Sequence, residues 1–404
     1  MAIAIRIAQR MGYHSECSNA KCNPLTAELR RRLWWSLVIF DNRICEVADY
    51  KPATLAPIWD CSPPMNVNDF DLLAEAKSPP PVCDRPSEAL FAVVRSEMSD
   101  FIRHSAFHLD YIDPLLTQLA KAKTAAGRTS PSGRRSLSEL QRTVEAIFKR
   151  CDPQSPIQFL TMWTARGFLA RIQLLEHCWR RKSLPTSPGL PDSPHDPAIS
   201  YACTMLDCDT QLMASPLTKG FVWHLESFNF PFLAYTYILQ RLKKQPDDQA
   251  DRAWESMSDN YEARGIDSAV FGNHCLIFRN HPFFTILARM VMVAWEAREA
   301  MLVQQNIAPE MPRIVARVKD KLEEIRLEFA LQRKCAATAA NLDISAMPRS
   351  APVNFGGTAP GAQSPFGDPT TGYPYSGMDS EVMLPFDEDN FLSNNMNWGA
   401  NRFW

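Results

Sequence analysis

Apolar residues along this chain recur at intervals of three and four almost throughout. That period marks amphipathic helices packed on one another rather than strands. Ile5, Ala8, Gln9 and Gly12 outline a short first helix. It ends at a glycine, which takes the left-handed conformation past a helix end without steric cost. Asn23-Pro24 opens a second helix, with Asn as the cap and Pro in the first turn. On it Leu29, Leu33, Leu37, Phe40 and Ile44 form a stripe predicted to face the core, and the helix ends near Val47-Ala48. Lys51-Pro52 and Pro57 then predict extended chain. Residues 60–71 hold two prolines and five Asn or Asp, which predicts an ordered loop whose side chains cap backbone groups.

Helix resumes at Pro86-Ser87 and runs to about Ala120, with Leu90, Val93, Val94, Met98, Phe101 and Ile102 inward and Pro114 marking a break. A basic loop over 121–135 carries Lys121, Lys123, Arg128, Arg134 and Arg135. Ser136 and Glu139 form a capping box for the next helix, with Leu140, Val144, Ile147 and Phe148 on its inner face and Asp152-Pro153 at its end. Further helices are predicted over 156–181, 198–214, 221–243, 248–263, 283–305 and 311–333, with a proline-rich linker or long loop at 183–197. The expected fold is all-α, a large multi-helix domain over residues 1–335. Residues 336–404 are expected to be disordered. They comprise a Pro/Gly-rich linker and a tail in which Met383, Leu384, Phe386, Phe391, Leu392, Trp398, Phe403 and Trp404 alternate with acids.

Composition narrows the chemistry. The chain is 46% apolar with 15 glycines and 31 prolines, which suits a large core and speaks against Gly-rich phosphate loops. A net charge of −2 leaves no whole-chain electrostatic footprint for nucleic acid. The 11 cysteines include no C-x-x-C; the closest pairs, Cys17 with Cys22 and Cys203 with Cys208, read as free thiols of a reducing compartment. No apolar run approaches the ~20 residues of a membrane span. Arg6 and Arg10, with no acid before Glu16, imitate a transit peptide, but a helix of the fold explains them better.

Candidate sites are few. His104 and His108 sit four apart on one helical face, with no third ligand evident, so packing is the expected role. Asp69 and Asp71 do not form the Asp-rich helix wall of a prenyl-transfer magnesium site. No G-x-S-x-G, P-loop, G-x-G-x-x-G or H-E-x-x-H occurs, so no catalytic, cofactor or metal residue is assigned. In the tail, acids that keep aromatic rings solvated suit a segment that docks into a coactivator groove; a plain disordered end is the alternative.

One constellation is specific. Arg30-Arg31-Arg32-Leu33-Trp34-Trp35 is followed by Asp41 and Arg43 and then by Asp60, Pro63, Pro64, Asn66, Asn68, Asp69 and Asp71. This resembles the regulatory domain, or middle homology region, of fungal zinc-cluster transcription factors. Asn42 stands between Asp41 and Arg43, where the family has an adjacent Asp-Arg pair. Pro63 stands where Leu is usual, and Tyr50-Lys51-Pro52 replaces the frequent Gly-Arg-Pro. Softer similarity continues at Cys151–Pro156, Trp223–Ser227 and Ala253–Met257.

The resemblance implies a nuclear regulator of metabolic or secondary-metabolite genes. Its motif residues would be structural: Arg30, Arg31, Arg32, Trp34, Trp35, Asp41, Arg43, Asp60, Pro64, Asn66, Asp69 and Asp71. The tryptophans would be buried, and the arginines would pair with carboxylates such as Glu28 and Asp41; the competing reading has the arginines on DNA phosphates. Phe386, Phe391, Leu392, Trp398, Phe403 and Trp404 would form an activation segment. Partners would be the transcription machinery or coactivators, with homodimerisation open and no membrane. DNA would be reached only through another module or a partner. Zinc is expected only in the family's six-cysteine module, which matches nothing here. That leaves a truncated start or a shortened regulator as alternatives. An α-helical enzyme or small-molecule binder with a pocket between helices is the rival from another class, and a pure interaction scaffold is a third.

Overall fold

The structure is a computed structural model that describes residues 1–48, 59–104, 136–183, 197–228, 230–244, 250–265 and 282–344. Every regular element among them is helical. The α-helices are α1 (Ala2–Arg10), α2 (Glu16–Asn19), α3 (Pro24–Ala48), α4 (Leu90–His104), α5 (Leu137–Phe148) and α6 (Pro156–Ser183). They continue with α7 (Pro197–Ala214), α8 (Val222–Phe228), α9 (Phe232–Lys244), α10 (Ala250–Ala263), α11 (Pro282–Gln304) and α12 (Arg313–Ile344). Short 3-10 turns occupy Asp69–Asp71 and Pro216–Phe221. No helix among the described residues is long and apolar enough to cross a membrane.

Local sequence signals account for most of the starts and stops. Gly12 closes α1 with φ of +75°, and a Cβ there would stand 2.8 Å from Ser18 Oγ, so an L side chain is excluded twice over. Asn23 Oδ1 accepts the Thr26 N–H at 2.8 Å, capping α3. The box at α5 is reciprocal: Ser136 Oγ accepts from Glu139 N–H, and Glu139 accepts from Ser136 N–H at 2.8 Å. The predicted helix over 221–243 is two helices. Pro231 lacks an N–H and disfavours helix in the residue before it, so the chain breaks between α8 and α9. Helix α12 continues to Ile344, so a domain boundary at 335 falls inside it. The predicted basic loop, the proline-rich linker and the tail lie outside the described residues.

The helices pack around a main core formed by α6, α7, α9, α10, α11 and α12, where Leu174, Leu206, Tyr235, Tyr261, Trp254 and Trp295 are buried. Helices α6 and α7 approach closely at Gly167, where a Cβ would meet Cys208 Cβ at 3.3 Å. A second cluster joins α4, α5 and α6 through Leu90, Val94, Met98, Leu140, Val144 and Phe148. A third joins α1, α3 and the 59–61 strand of loop through Ile5, Ala8, Trp34, Trp35, Val38 and Cys61.

Of the stripe expected to bury α3, Leu37 packs against the third cluster, the Ile44 side chain lies outside the described residues, and the other three face outward. Leu29, Leu33 and Phe40 are 54%, 47% and 43% exposed. The inward face instead carries Ala27, Glu28, Trp34, Trp35, Val38 and Asp41. Counting apolar residues pointed to the other face because the true core face contains two carboxylates. Such groups enter a core only when paired or hydrogen-bonded.

Candidate functional site

The arginine-tryptophan run forms a platform between α1, α2, α3 and the loop after α3. Adjacent residues on a helix are about 100° apart, so Trp34 and Trp35 both fall within the broad inward arc of α3. Both are fully buried. The Trp59 ring meets them edge-on, at 5.7 Å from Trp34 and 6.1 Å from Trp35. Trp35 Nε1 donates to the Ser62 carbonyl at 2.9 Å, which ties the helix to the loop.

Each arginine is engaged. Arg30 lies over the Tyr13 ring, 5.1 Å from its centroid. Arg31 forms a two-point pair with Glu16 and lies 3.8 Å from Glu28. Arg32 Nε donates to Glu28 at 3.1 Å, and its Nη1 donates to Asp69 at 2.6 Å. Glu28 is the hub, since it also accepts the Met65 N–H at 3.2 Å. Burial pushes its carboxyl pKa up, against the lowering effect of Arg32, Met65 and Arg31. Burial also pushes Glu16 up, but its bonds from Arg31 and Ser62 N–H outweigh that and hold it below the ordinary carboxylate value.

The loop 60–71 is built as its composition predicts. Asp60 accepts the Glu16 N–H at 2.9 Å. Asn66 donates to the carbonyls of Cys83 and Arg85 and accepts from Ser87 N–H and Oγ, filling four bonds around one amide. Asn68 Nδ2 reaches Asp71, and its Oδ1 accepts the Glu88 N–H. Pro64 and Val67 are buried between these bonds. The motif residues Arg30, Arg31, Arg32, Trp34, Trp35, Asp60, Pro64, Asn66, Asp69 and Asp71 therefore meet in one structural unit. Asp41 is buried on the same face of α3. The Arg43 side chain, those of His104 and His108, and the tail residues Phe386, Phe391, Leu392, Trp398, Phe403 and Trp404 lie outside the described residues.

No group of three or more His, Cys, Asp or Glu able to hold a metal occurs among the described residues. The described cysteines are free thiols. Burial pushes Cys203 up to about 11, and Cys61 and Cys208 up to about 12, so they are poor metal ligands and poor nucleophiles at neutral pH.

The arginine-tryptophan platform and its loop coincide with residues 1–79, which match the fungal specific transcription factor domain. Over those 79 residues the chain is similar to that family. It is 42% identical to transcriptional regulator AacuB of Aspergillus aculeatus over 99% of this chain and 53% of that protein. It is 41% identical to transcriptional regulator nsrM of Aspergillus novofumigatus over 90% of this chain and 48% of that protein. Similarity at 27% identity reaches the aurofusarin cluster transcription factor aurR2 of Gibberella zeae, over 73% of this chain and 42% of that protein. The chain thus spans about half the length of the curated relatives it matches. No solved structure matches.

Beyond the fungal transcription factor domain match lies a second polar centre that sequence reasoning missed. Arg264 pairs with Asp209 through two bonds, Nε to Oδ2 at 2.6 Å and Nη2 to Oδ1 at 2.5 Å. Both side chains are buried. Asn260 Nδ2 donates to Asp209 at 2.8 Å and to the Leu206 carbonyl. Tyr235 donates to Asn260 Oδ1 at 2.9 Å, and the Phe230 ring stacks on Tyr235 with Arg264 5.0 Å from its centroid. Burial, with Asp209 beside it, pushes the Tyr235 hydroxyl pKa well up, so it stays a neutral donor. Sequence spacing gave no hint of this, because the side-chain pairs that bond are 25 to 55 residues apart.

Elsewhere, His224 of α8 packs edge-on against Phe91, and Arg95 of α4 lies over the same ring. Burial, then the Arg95 charge, lowers His224 from 6.5 to about 4. Its folded form resists a proton that the unfolded form accepts. Stability from this group is therefore complete above about pH 6.5 and is lost as pH falls toward 4. Partial exposure screens the slope to a fraction of the ~1.4 kcal/mol per pH unit that one proton allows. His224→Phe should flatten that part of the acid limb in thermal melts; an unchanged limb would assign it to other groups.

Proposed function

We propose that this protein regulates transcription of fungal genes, in particular those of a secondary-metabolite pathway, and acts in the nucleus without chemistry of its own. The observation that carries this is the similarity to AacuB, a named transcriptional regulator, along 99% of the chain. Other relatives are named for the aurofusarin cluster and for the pyriculol/pyriculariol biosynthesis cluster. The helical body serves as a regulatory domain. DNA is reached through a separate module or a partner, because Arg30, Arg31 and Arg32 are turned onto Tyr13, Glu16, Glu28 and Asp69 rather than outward. The chain's cysteines do not fit a zinc cluster, having no close pairs and deep burial at Cys61, Cys203 and Cys208. Zinc therefore belongs to that separate module.

Output would run through the C-terminal segment 379–404, which docks into coactivator grooves. Fused to an unrelated DNA-binding domain, this segment should drive a reporter in a fungal strain. Replacing Phe386, Phe391, Leu392, Trp398, Phe403 and Trp404 by alanine should abolish the output, since burying rings supplies the affinity at ~25 cal/mol per Å². Changing Asp387 and Glu388 to their amides should only reduce it, because acids chiefly steer encounter. A silent fusion would remove activation and leave a partner-binding regulatory domain.

A further inference from the structure

Phe91 and Arg95 stand four residues apart on α4, so they share one face of that helix. The Arg95 guanidinium lies over the Phe91 ring, 5.0 Å from its centroid. The His224 ring of α8 meets the same phenyl ring edge-on at 6.0 Å, and the Trp223 ring stands 5.6 Å from His224. Phe91 also packs, with Trp163 and Phe221, over a small apolar cluster of Leu160, Leu212 and Leu225. One cation is thus set against an aromatic patch built from α4, α6, α8 and the 3-10 turn before α8. Arg95, Phe91 and His224 are half-buried rather than sealed, and Trp223 is 66% exposed, so the patch opens to solvent.

Arg95 differs from Arg31, Arg32, Arg166 and Arg264, which each meet a carboxylate. Among the described residues no carboxylate or carbonyl meets the Arg95 guanidinium. On its own helix, Glu97 and Asp100 project roughly 140–200° away around the axis. Partners hold Arg31, Arg32 and Arg166 above the ordinary arginine value, whereas burial alone pushes Arg95 down to about 10. It is still a cation at neutral pH, while the neighbouring His224 is neutral there. A charge drawn out of water with no counter-charge is costly, and folded proteins ordinarily pair it. We propose that this patch binds a small aryl carboxylate, with the donor fork of Arg95 on the carboxylate and Phe91, His224 and Trp223 against the ring. A guanidinium fork matches a carboxylate through two parallel bonds. Small-molecule sites combine aromatic walls with a few placed polar groups, as here. A single guanidinium selects a monoanion, since a second ligand charge would find no counter-charge in the patch. The site stands on these contacts whether or not the chain regulates transcription.

Calorimetric titration of the full 404-residue chain with naphthoate and with the neutral naphthamide tests it. The two probes share a ring system, and only the first carries a charge. Naphthoate should bind about tenfold more tightly or better, the difference a charge-assisted pair makes. Arg95→Met should remove that preference, and Arg95→Lys, a point charge without the fork, should keep part of it. Thermal melts separate a ligand site from an internal tie. With no partner in the fold to strand, Arg95→Met should melt at or above the wild-type temperature. Naphthoate should raise the Tm of the wild type and not that of Arg95→Met. The proposal is overturned if naphthoate does not bind, if the amide binds as tightly, or if the preference survives Arg95→Met. Displacement of naphthoate by an equal concentration of acetate also overturns it, because the rings would then contribute nothing. So does a melt of Arg95→Met well below the wild type, which makes a carboxylate of the chain itself the partner.

Discussion

Asp209→Ala should lower the unfolding free energy by roughly 3–5 kcal/mol, among the largest single-residue effects in the protein. The substitution removes both acceptors of Arg264 and the 2.8 Å acceptor of Asn260. It takes from a buried guanidinium the carboxylate that faces it. The reverse change, Arg264→Ala, strands a buried carboxylate and should cost a similar amount. Replacing the two together by apolar groups of like volume, Asp209→Leu with Arg264→Met, should cost far less than either single change. Two ionic groups withdrawn from water recover little net stability from each other. Urea titration of the four proteins provides the cycle. Additive single effects would mean that the pair is not coupled, and the centre would then be a set of independent bonds.

Trp34→Ala should destabilise by roughly 3–5 kcal/mol, because it empties a fully buried site faced by Trp59 and His14 rather than by solvent that could fill it. Arg31→Ala should cost less. Its partner Glu16 is partly exposed and also accepts the Ser62 N–H, so the carboxylate is not left alone. Thermal unfolding of both variants measures the contrast. Equal and negligible shifts would make the arginine-tryptophan run a surface feature and restore the reading in which its arginines face phosphate.

Much of the architecture was legible because it rests on local chemistry. Caps at Asn23 and Ser136, the stop at Gly12 and the hydrogen-bonding role of Asn66 and Asn68 each follow from a side chain and its near neighbours. The face of α3 was misread for a physical reason. Its buried side carries Glu28 and Asp41, and the burial of Glu28 depends on groups such as the Met65 N–H, 37 positions away. A hydrophobic count cannot weigh that compensation. The Asp209 centre was invisible on the same ground, since an Asp, an Asn, a Tyr and an Arg scattered over three helices look like surface residues until the helices are packed. The break at Pro231 was readable from the proline alone, but the apolar period runs through it and was followed instead.

That break has a consequence for cooperativity. Ending α8 before Pro231 turns Phe230 out of a helix and lays its ring on Tyr235 and Arg264. The link between α8 and α9 thereby closes over a centre to which α7, α9 and α10 each contribute a bond. Opening α7 or the end of α10 strands the charge left on the other, and opening α9 uncovers both. They should come apart as one unit with a shared opening free energy rather than fray helix by helix. A helical body whose middle unfolds all or none has few intermediate shapes. A perturbation of it then selects between whole states rather than producing a graded softening.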